Sequence, residues 1–278
     1  MTATPVSVYI ISKNEESRIG AAIRSVIGWA DDVVVVDSGS TDQTTTIAAA
    51  LGARVLHRDW TGYGPQKRFA EDQCRHRWVL NLDADEEVSP ELAEEIMAAV
   101  AAAPADQGAF RIRVTDMLPG EECPSWHAYS YHILRLYHRD FGRMSDHAYQ
   151  DRVEMRGGRC DDLQGRIHHR SFISWSATLA KINFYTTQVA EQRFAAGPLR
   201  LQTLRLWTEF PLTFLKIWIG RRYLLRGSMG LAMSITVAYL NLMRLLKTQE
   251  VFTSQQASSV ITAESQHGDS GSDRSAAA

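Results

Sequence analysis

The chain has 278 residues, of which 45% are hydrophobic and 22% are charged, enough for one sizeable core with appendages. Its three cysteines, Cys74, Cys123 and Cys160, are an odd number without a Cys-x-x-Cys pair, which argues against a disulfide scaffold and a zinc ribbon and favours a reducing compartment. The N-terminus has no basic flank and leads directly into a predicted strand, so we expect no signal peptide.

Strands and helices alternate with short connections up to about residue 103. Runs of β-branched residues predict buried parallel strands, and apolar residues at i, i+4, i+7 and i+8 predict a helix after the first strand. The predicted elements, in chain order, are a strand at 6–12, a helix at 19–27, a strand at 33–36, a helix at 47–51, a strand at 54–57, a helix at 66–74 and a strand at 78–82. This order favours an α/β fold with a parallel sheet covered on both faces.

Two carboxylates, Asp83 and Asp85, come directly after the last of these strands. In open α/β sheets, ligands bind where strands end and helices begin. Two acids one residue apart at such a position can hold a hard divalent cation, which keeps some waters and bridges to the phosphates of a substrate. The alternative interpretation is a solvated turn before the helix that Ser89 and Pro90 open.

The part of the chain at 108–170 predicts mixed strands, because apolar residues alternate at Phe110, Ile112 and Val114, and again around Ile133 and Tyr137. We therefore expect a second region of mixed strands at 104–192, after the α/β region at 1–103.

The net charge of −2 conceals a basic segment at 193–247. This segment contains nine Lys or Arg residues and a single acid, Glu209, and its aromatic residues include Trp207 and Trp218 on one helical face. Such a basic, aromatic and amphipathic segment predicts helices at an anionic membrane surface and makes nucleic acid an unsuitable partner. The alternative is a helical pair that packs its apolar side on the catalytic domain.

Within the basic segment, residues 227–243 are uncharged, and their 17 residues are the minimum for a membrane span. Because the stretch includes Gly, Ser, Thr and Asn, we favour peripheral or monotopic attachment over a true span. From residue 248 onward the chain is rich in Ser, Gln and Ala without apolar periodicity, so we predict a disordered tail at 248–278.

Four short motifs occur in order along the first part of the chain. They are Ile11-Ser-Lys-Asn-Glu-Glu16, Val36-Asp-Ser-Gly-Ser-Thr-Asp42, Gly62-Tyr-Gly-Pro-Gln-Lys67 and Leu82-Asp-Ala-Asp-Glu86. As an ordered set they resemble the GT-A nucleotide-sugar-binding fold of glycosyltransferase family 2. The Gly-Pro-Gln-Lys and Asp-Ala-Asp-Glu elements are most similar to the subgroup of lipopolysaccharide inner-core β-glucosyltransferases. The resemblance is clearest over 6–87, continues more faintly to about residue 247 and does not cover the tail.

The resemblance implies a GT-A, Rossmann-like mixed sheet and a nucleotide-sugar donor such as a UDP-hexose. It also implies a nucleotide-sugar-binding half at 1–103 and an acceptor-side half of the same catalytic domain at 104–192. On the donor side, Asp37 can accept the imide N–H of a uracil ring, a charge-assisted hydrogen bond. Ser12, Asn14 and Glu15 lie at the end of the first strand, where they can reach the ribose. Asp42 suits a structural role in a turn.

The implied cofactor is Mg²⁺ or Mn²⁺, held through Asp85, with Asp83 contacting the ribose or a metal-bound water. His169 can complete the metal site or contact the diphosphate, and a core histidine is the alternative, since the adjacent His168 supplies no zinc-type spacing. Lys67 can neutralise the pyrophosphate or contact the sugar, or it can be an ordinary surface lysine. Neither a Gly-x-Gly-x-x-Gly turn nor a Gly-Lys-Ser/Thr phosphate loop is present, which argues against dehydrogenases and NTPases.

The resemblance implies inversion at the anomeric carbon by a single displacement, for which one carboxylate on the acceptor side suffices as general base. Relatives in the subgroup carry a His-Glu pair in this part of the chain, whereas this chain has Gln150-Asp151. Asp151 therefore matches the glutamate, with Glu154 and Asp146 as alternatives.

Together these patterns predict an inverting, metal-dependent glycosyltransferase that acts on a lipid-linked saccharide, such as lipopolysaccharide core, at the cytoplasmic face of the inner membrane. One alternative is a polyprenyl-phosphate glycosyltransferase, which shares the donor site and needs cations at the acceptor mouth, for which Arg135, Arg139 and Arg143 are candidates. Another is a non-catalytic membrane-docking protein on a nucleotide-sugar scaffold.

Overall fold

The computed structural model describes residues 4–147, 151–195 and 202–269 of the chain. The chain divides into two compact units, Met1–Ser171 and Phe172–Ala278. The predicted boundary between residues 103 and 104 lies inside the first unit, and the second unit begins before the predicted boundary at residue 193. The reason is strand pairing, because strands from both sides of residue 103 belong to one sheet.

The first unit is built on an eight-stranded sheet and a separate two-stranded sheet. Its strands are β1 (Val6–Ser12), β2 (Asp32–Asp37), β3 (Arg54–His57), β4 (Trp78–Asn81), β5 (Glu86–Val88), β6 (Gln107–Asp116), β7 (Ser130–His138), β8 (Gly142–Met144), β9 (Val153–Met155) and β10 (Arg159–His169). The order in the large sheet is β3-β2-β1-β4-β7-β6-β10-β5, and β8 pairs with β9.

The large sheet is mixed, as the resemblance implies. β3, β2, β1 and β4 are parallel, β7 is antiparallel to both β4 and β6, β10 is parallel to β6, and β5 closes the edge antiparallel to β10. The α/β class predicted from the sequence is confirmed, and the parallel half coincides with the β-branched runs.

Four helices belong to the first unit: α1 (Ile19–Arg24), α2 (Thr44–Ala50), α3 (Tyr63–Asp72) and α4 (Pro90–Ala101). Helix α4 begins where Ser89 and Pro90 predict. The Ser89 hydroxyl caps the helix by accepting a hydrogen bond from the Leu92 N–H, and Pro90 occupies the first turn. Gly52 has φ +90° just after α2, the left-handed conformation that ends many helices.

Helices cover both faces of the sheet, which explains why its central strands are apolar on both sides. On one face, the core contains side chains of α1, α4 and the central strands, including Val8, Ile23 and Ile96. On the opposite face, Tyr9 and Tyr137 pack with α3.

The carboxyl ends of β1, β2 and β4 meet at one edge of the sheet because these strands are parallel. In this register Ser12 pairs with Asp37. From the other half, β10 delivers His169, which pairs with Glu86 on β5 and with Asp116 on β6. Motifs far apart in the sequence are thereby brought to one edge.

The second unit is helical. It comprises α5 (Trp175–Ala195), α6 (Gln202–Leu215), a π-helical turn at Lys216–Gly220, a 3-10 turn at Tyr223–Arg226 and α7 (Gly227–Asp269). Lys247 on α7 donates hydrogen bonds to the Asn183 carbonyl at 2.8 Å and to the Thr187 hydroxyl at 2.7 Å, which fastens α7 to α5. A Cβ at Gly230 would lie 2.0 Å from the Tyr223 carbonyl oxygen, so only glycine permits this close packing.

Helix α7 continues to Asp269, whereas the sequence predicts disorder from residue 248. Ala, Gln and Glu are good helix formers, and extending an existing helix is far easier than starting one, so the helix does not need apolar periodicity to continue. Among the described residues, one segment, Tyr223–Thr253, is long and apolar enough to cross a membrane by length and composition.

Candidate active site

A buried lysine lies between two carboxylates that the sequence analysis assigned to opposite sides of the candidate site. Lys67, on α3, is only 1% exposed, and its ammonium group lies 2.7 Å from Asp83 Oδ1 and 2.7 Å from Asp151 Oδ2. Burial alone would lower the pKa of Lys67, but the carboxylates of Asp83 and Asp151 outweigh both burial and the nearby Arg135 and leave this pKa raised. The alternative of a surface lysine is wrong, and the predicted donor and acceptor carboxylates share one cation.

A second buried cation, Arg135 of β7, holds the Asp83 turn. Its guanidinium donates to Asp83 Oδ2 at 2.8 Å and to Glu86 Oε1 at 2.7 Å, while the other Glu86 oxygen accepts the Asp83 N–H. Burial would raise the pKa of Asp83, but Arg135 and Lys67 hold it well below the ordinary range. The pKa of Glu86 is raised, mainly by burial. Asp83 is therefore a fixed anion, and the solvated-turn interpretation is wrong for it.

The three arginines considered for a phosphate acceptor do not all contact the same group. Arg135 contacts the Asp83 turn, whereas Arg143 donates to Asp72 at 2.8 Å and Arg139 lies 3.9 Å from the same carboxylate. They do not form the cation cluster that a polyprenyl-phosphate acceptor would need. Sequence reasoning could not separate them, because their spacing along the chain does not show which carboxylate each one meets on another element.

Asp85 and His169 form the other side of the edge. Asp85 Oδ2 lies 3.5 Å from His169 Nε2, and His169 Nδ1 lies 3.2 Å from Asp116 Oδ1. Burial would lower the pKa of His169, but Asp116 and Asp85 raise it to about 10. Asp116 was not singled out in the sequence, and its pairing with His169 through β6 and β10 is visible only in the fold.

Asp85 and His169 are the candidate ligands for the divalent cation that the resemblance implies. A histidine that binds a metal through one ring nitrogen usually has the other nitrogen hydrogen-bonded to a carboxylate, as Asp116 does for His169 here. Asp85 and His169 supply the oxygen and nitrogen ligands that Mg²⁺ or Mn²⁺ accepts. No group of three metal-binding side chains with suitable geometry occurs within residues 4–147, 151–195 and 202–269, so waters and diphosphate oxygens would have to complete the coordination.

Arg18, which sequence reasoning missed, joins Glu15 to this side of the site. Its guanidinium donates to Glu15 Oε2 at 2.8 Å and to Asp85 Oδ2 at 3.3 Å. It also donates to the carbonyl oxygens of Arg170 and Ser171, just after β10. Glu15 therefore positions Arg18. The contact between Glu15 and ribose stays a prediction.

Ser12 and Asp37 hold the first two strand ends together. The Asp37 carboxylate accepts hydrogen bonds from the Ser12 hydroxyl at 3.0 Å, the Gly39 N–H at 2.9 Å, and both the N–H and the hydroxyl of Ser40. These four bonds use the whole acceptor capacity of a carboxylate. The uracil contact predicted for Asp37 would require one of these donors to be exchanged, and it stays a prediction.

Asn14 and Asp42 organise the neighbouring loops. Asn14 adopts a left-handed conformation with φ 54°, and its side-chain oxygen accepts the Thr41 N–H at 2.9 Å. Asp42 accepts the Thr44 N–H at 3.0 Å, which is the turn role that the sequence predicts. The exposed Asn14 side chain lies at the first strand end, as expected.

Asp151 is the only one of the three candidate bases that contacts the central lysine in the described structure. Its side chain is 45% exposed, so an acceptor hydroxyl can reach it. Glu154 is exposed on β9 with its carboxylate 4.0 Å from the Arg152 guanidinium, and Asp146 is also exposed. Gln150, the replacement for the subgroup histidine, lies outside the described residues.

Close backbone packing explains how Lys67 reaches Asp151. A Cβ at Gly64, in the first turn of α3, would lie 2.6 Å from the Ser145 carbonyl oxygen and 2.3 Å from that of His147. The glycine therefore lets the start of α3 approach Ser145, whose N–H donates to the carbonyl oxygen of Arg152, the residue after Asp151, at 2.8 Å.

With this geometry established, comparison with known proteins identifies the class. The model of the family described as "Glycosyl transferase family 2" matches residues 7–160. The chain belongs to this family and is a glycosyltransferase, so the alternative of a non-catalytic docking protein is wrong.

Two relatives extend the comparison beyond the family model. An uncharacterized glycosyltransferase of Rickettsia prowazekii is 37% identical over 268 residues, which cover 93% of this chain and 91% of the relative. The lipopolysaccharide core biosynthesis glycosyltransferase LpsC of Rhizobium meliloti is 30% identical over 220 residues, covering 77% of this chain and 80% of LpsC.

Among solved structures, the chain is similar to glucosyl-3-phosphoglycerate synthase from Mycobacterium tuberculosis in complex with Mn²⁺, UDP and glucosyl-3-phosphoglycerate. The TM-score is 0.34 with 24% identity, and the match covers 42% of this chain and 45% of the other. At this level the likeness carries no assignment of residues or ligands.

Proposed function

We propose that the protein is an inverting, divalent-metal-dependent hexosyltransferase that uses a UDP-sugar and glycosylates a saccharide of the lipopolysaccharide core. The observation that carries this proposal is the Lys67 bridge, which puts the donor-side carboxylate Asp83 and the acceptor-side carboxylate Asp151 on one ammonium group.

On the donor side, Asp85 and His169 would hold Mg²⁺ or Mn²⁺, with Asp83 facing the ribose or a metal-bound water. Such an ion, when bound, neutralises the negative charge that develops on the departing diphosphate. Ser12, Asn14 and the loop around Asp37 would enclose the nucleoside.

On the acceptor side, Asp151 would remove the proton from the acceptor hydroxyl. The hydroxyl oxygen forms a bond to the anomeric carbon as the bond from that carbon to the UDP oxygen breaks on the opposite face, which inverts the configuration. The proton goes to Asp151 and the electron pair leaves with UDP. Lys67 would keep the Asp151 carboxylate in place, because its ammonium group donates a hydrogen bond of 2.7 Å to Asp151 Oδ2.

Two observations support a lipid-linked acceptor. LpsC, which matches most of this chain, is named for lipopolysaccharide core biosynthesis. The second unit contains the apolar segment Tyr223–Thr253, only 22% of whose most apolar window is buried within the protein, and basic residues that favour an anionic surface. We infer peripheral or monotopic attachment at the cytoplasmic face of the inner membrane.

The test is release of nucleotide from a panel of UDP- and other nucleotide-sugars, with and without lipopolysaccharide core as acceptor. We expect one UDP-hexose to be used, transfer to stop in excess chelator, and Mg²⁺ or Mn²⁺ to restore it. In addition, UDP and metal together should raise the Tm more than either alone, because ligands that bind only the native state stabilise it. Full activity in excess chelator would contradict the proposed metal dependence. Transfer to polyprenyl phosphate alone would contradict the proposed saccharide acceptor.

A further inference from the structure

The connection between β6 and β7, residues 117–129, carries an exposed tryptophan. The Trp126 side chain is 82% exposed, the highest value for any large hydrophobic side chain in the described ranges. Single exposed apolar residues are common, but an indole is a large and rigid surface that proteins often use for binding. Its position in the fold therefore decides what it can bind.

Both ends of this connection are fastened to the metal side of the active site. The Met117 N–H donates to the carbonyl oxygen of His169 at 2.9 Å, and the Asp116 N–H donates to the Tyr129 carbonyl at 3.2 Å. The Asp116 side chain in turn pairs with His169. The connection thus begins and ends beside a residue of the candidate site.

The middle of the connection is also ordered. Arg170, which follows His169, donates to the Glu121 carbonyl oxygen at 2.7 Å. The Glu121 carboxylate accepts the Leu118 N–H at 2.8 Å and the Ser125 hydroxyl at 3.1 Å. Trp126 therefore follows directly on a residue that is held in place.

Chain geometry limits the distance from Trp126 to the site. Trp126 precedes Tyr129 by three residues, so their Cα atoms are at most about 11 Å apart. The paired strand adds about 5 Å to Asp116. An oligosaccharide that extends from the site can reach that far.

The chemistry around Trp126 suits a sugar better than an anionic surface. Residues 117–129 contain two acids, Glu121 and Glu122, and no Lys or Arg. The His127 ring lies 5.0 Å from the Trp126 ring, edge to face, and its ring nitrogens are buried, so the imidazole supports the indole from the protein side. A pyranose ring presents an apolar C–H face that can lie on the exposed indole while its hydroxyls stay in water.

We propose that Trp126, supported by His127, forms an acceptor subsite that binds a pyranose ring of the acceptor saccharide beyond the one that is glycosylated. This inference rests on the proposed function, because it takes the acceptor to be an oligosaccharide. It adds a binding site in a part of the chain for which the motifs imply no role.

The test compares Trp126→Ala, Trp126→Phe and wild type with lipid-free core oligosaccharide, which excludes membrane effects. Trp126→Ala should raise the KM for the oligosaccharide at least tenfold while the KM for the nucleotide sugar changes less than twofold, and Trp126→Phe should lie between. The matched control is Phe184→Ala, an aromatic residue on α5 that is 60% exposed, and it should leave both KM values unchanged.

Direct binding of the same oligosaccharide, by calorimetry, separates failure of the subsite from failure of the proposed function. Binding to wild type that Trp126→Ala weakens supports the subsite even if no donor is turned over. An unchanged oligosaccharide affinity and KM in Trp126→Ala would overturn it. Loss of vesicle binding or of self-association in that variant, with unchanged oligosaccharide affinity, would instead assign Trp126 to a membrane or to a second copy.

Discussion

At the scale of single residues, the site depends on buried charges that are paired. Lys67 and Arg135 are both almost fully buried, and together they face Asp83, Glu86 and Asp151. A buried charge is costly unless it is paired, so removing one member leaves the others uncompensated. The cluster therefore links the stability of the site to its chemistry.

The first prediction concerns Lys67. Lys67→Met should lower kcat by about two orders of magnitude or more, because Asp151 loses its fixed partner and Asp83 loses one of its two cations. Lys67→Arg should restore part of the activity, since it retains the charge. Steady-state kinetics with matched Tm measurements separate lost positioning from unfolding. Turnover of Lys67→Met at the wild-type rate would mean that the bridge is only structural.

The second prediction concerns the base. Asp151→Asn should keep UDP binding and lose turnover by about two to four orders of magnitude, the usual contribution of general-base catalysis. Glu154→Gln, three residues away on β9, is the control and should stay active. If the two variants behave the other way round, Glu154 is the base and the displacement mechanism remains.

At the scale of elements, one carboxylate ties three parallel strands together. Asp32, the first residue of β2, accepts hydrogen bonds from Arg54 of β3 at 2.8 Å, from the Ser7 hydroxyl of β1 at 3.0 Å and from the Arg75 N–H at 3.0 Å. Burial would raise its pKa, but Arg54 and the other donors lower it below the ordinary value.

The third prediction is the pH dependence that follows. Because the folded pKa of Asp32 lies below the unfolded value of about 3.9, its stabilising contribution is fully present above that value and is lost as the pH falls through the folded pKa. Asp32→Asn should therefore lower the urea midpoint at pH 7, and the difference from wild type should shrink below about pH 4. Asp59→Asn, at a side chain that is 96% exposed, should show no difference at either pH.

The fourth prediction concerns the packing of α3. Gly64→Ala should reduce both stability and turnover, because its Cβ would meet the carbonyl oxygens of Ser145 and His147 and displace the segment before Asp151. Alanine is the better helix former, so a loss cannot come from backbone preference. Gly28→Ala is the control, since no atom lies within 4 Å of its added Cβ. Wild-type kinetics in Gly64→Ala would show that this segment can shift without moving the base.

At the scale of the whole molecule, the proposed membrane attachment depends on apolar and basic side chains of the second unit. Large apolar side chains that are exposed on it include Leu212, Leu215, Ile219, Leu224, Leu231 and Ile235. Lys216 and Arg222 are exposed and Arg221 is partly exposed, whereas Arg226 is buried with its guanidinium 5.2 Å from the Tyr223 ring. Arg226 therefore belongs to the packing of the unit, and a test of surface charge should leave it in place.

The fifth prediction is that replacing Lys216, Arg221 and Arg222 with Gln lowers the salt concentration that releases the protein from anionic vesicles. Each cation near such a surface contributes about 1 kcal/mol. Replacement of Arg75, Arg77 and Arg156, exposed cations of the first unit, is the control with equal charge change. Unchanged vesicle binding in the first variant would assign these cations to protein contacts. If alkaline carbonate fails to extract the wild-type protein from membranes, Tyr223–Thr253 spans the bilayer.

The sequence by itself determined β1 to β4, the helices between them and the edge of the sheet where the candidate site lies. β-branched runs predict β1 and β2, and acids placed just after apolar strands predict that Asp37, Asp83 and Asp85 gather at one edge, because parallel strands end on the same side. Local periodicity and turn chemistry are sufficient for these features. Helix α7 is the exception, since its continuation past residue 248 follows from an existing helix rather than from an apolar pattern.

Only the tertiary structure decided which charges meet. Lys67 and Asp151 are 84 residues apart, and Arg18 and Asp85 are 67 apart, and no local pattern pairs them. The same holds for Asp116, which reaches His169 because β6 and β10 are neighbours in the sheet. Such pairs depend on strand order and on backbone approaches such as that at Gly64, and the energy of a buried ion pair depends on surroundings that only the complete fold supplies.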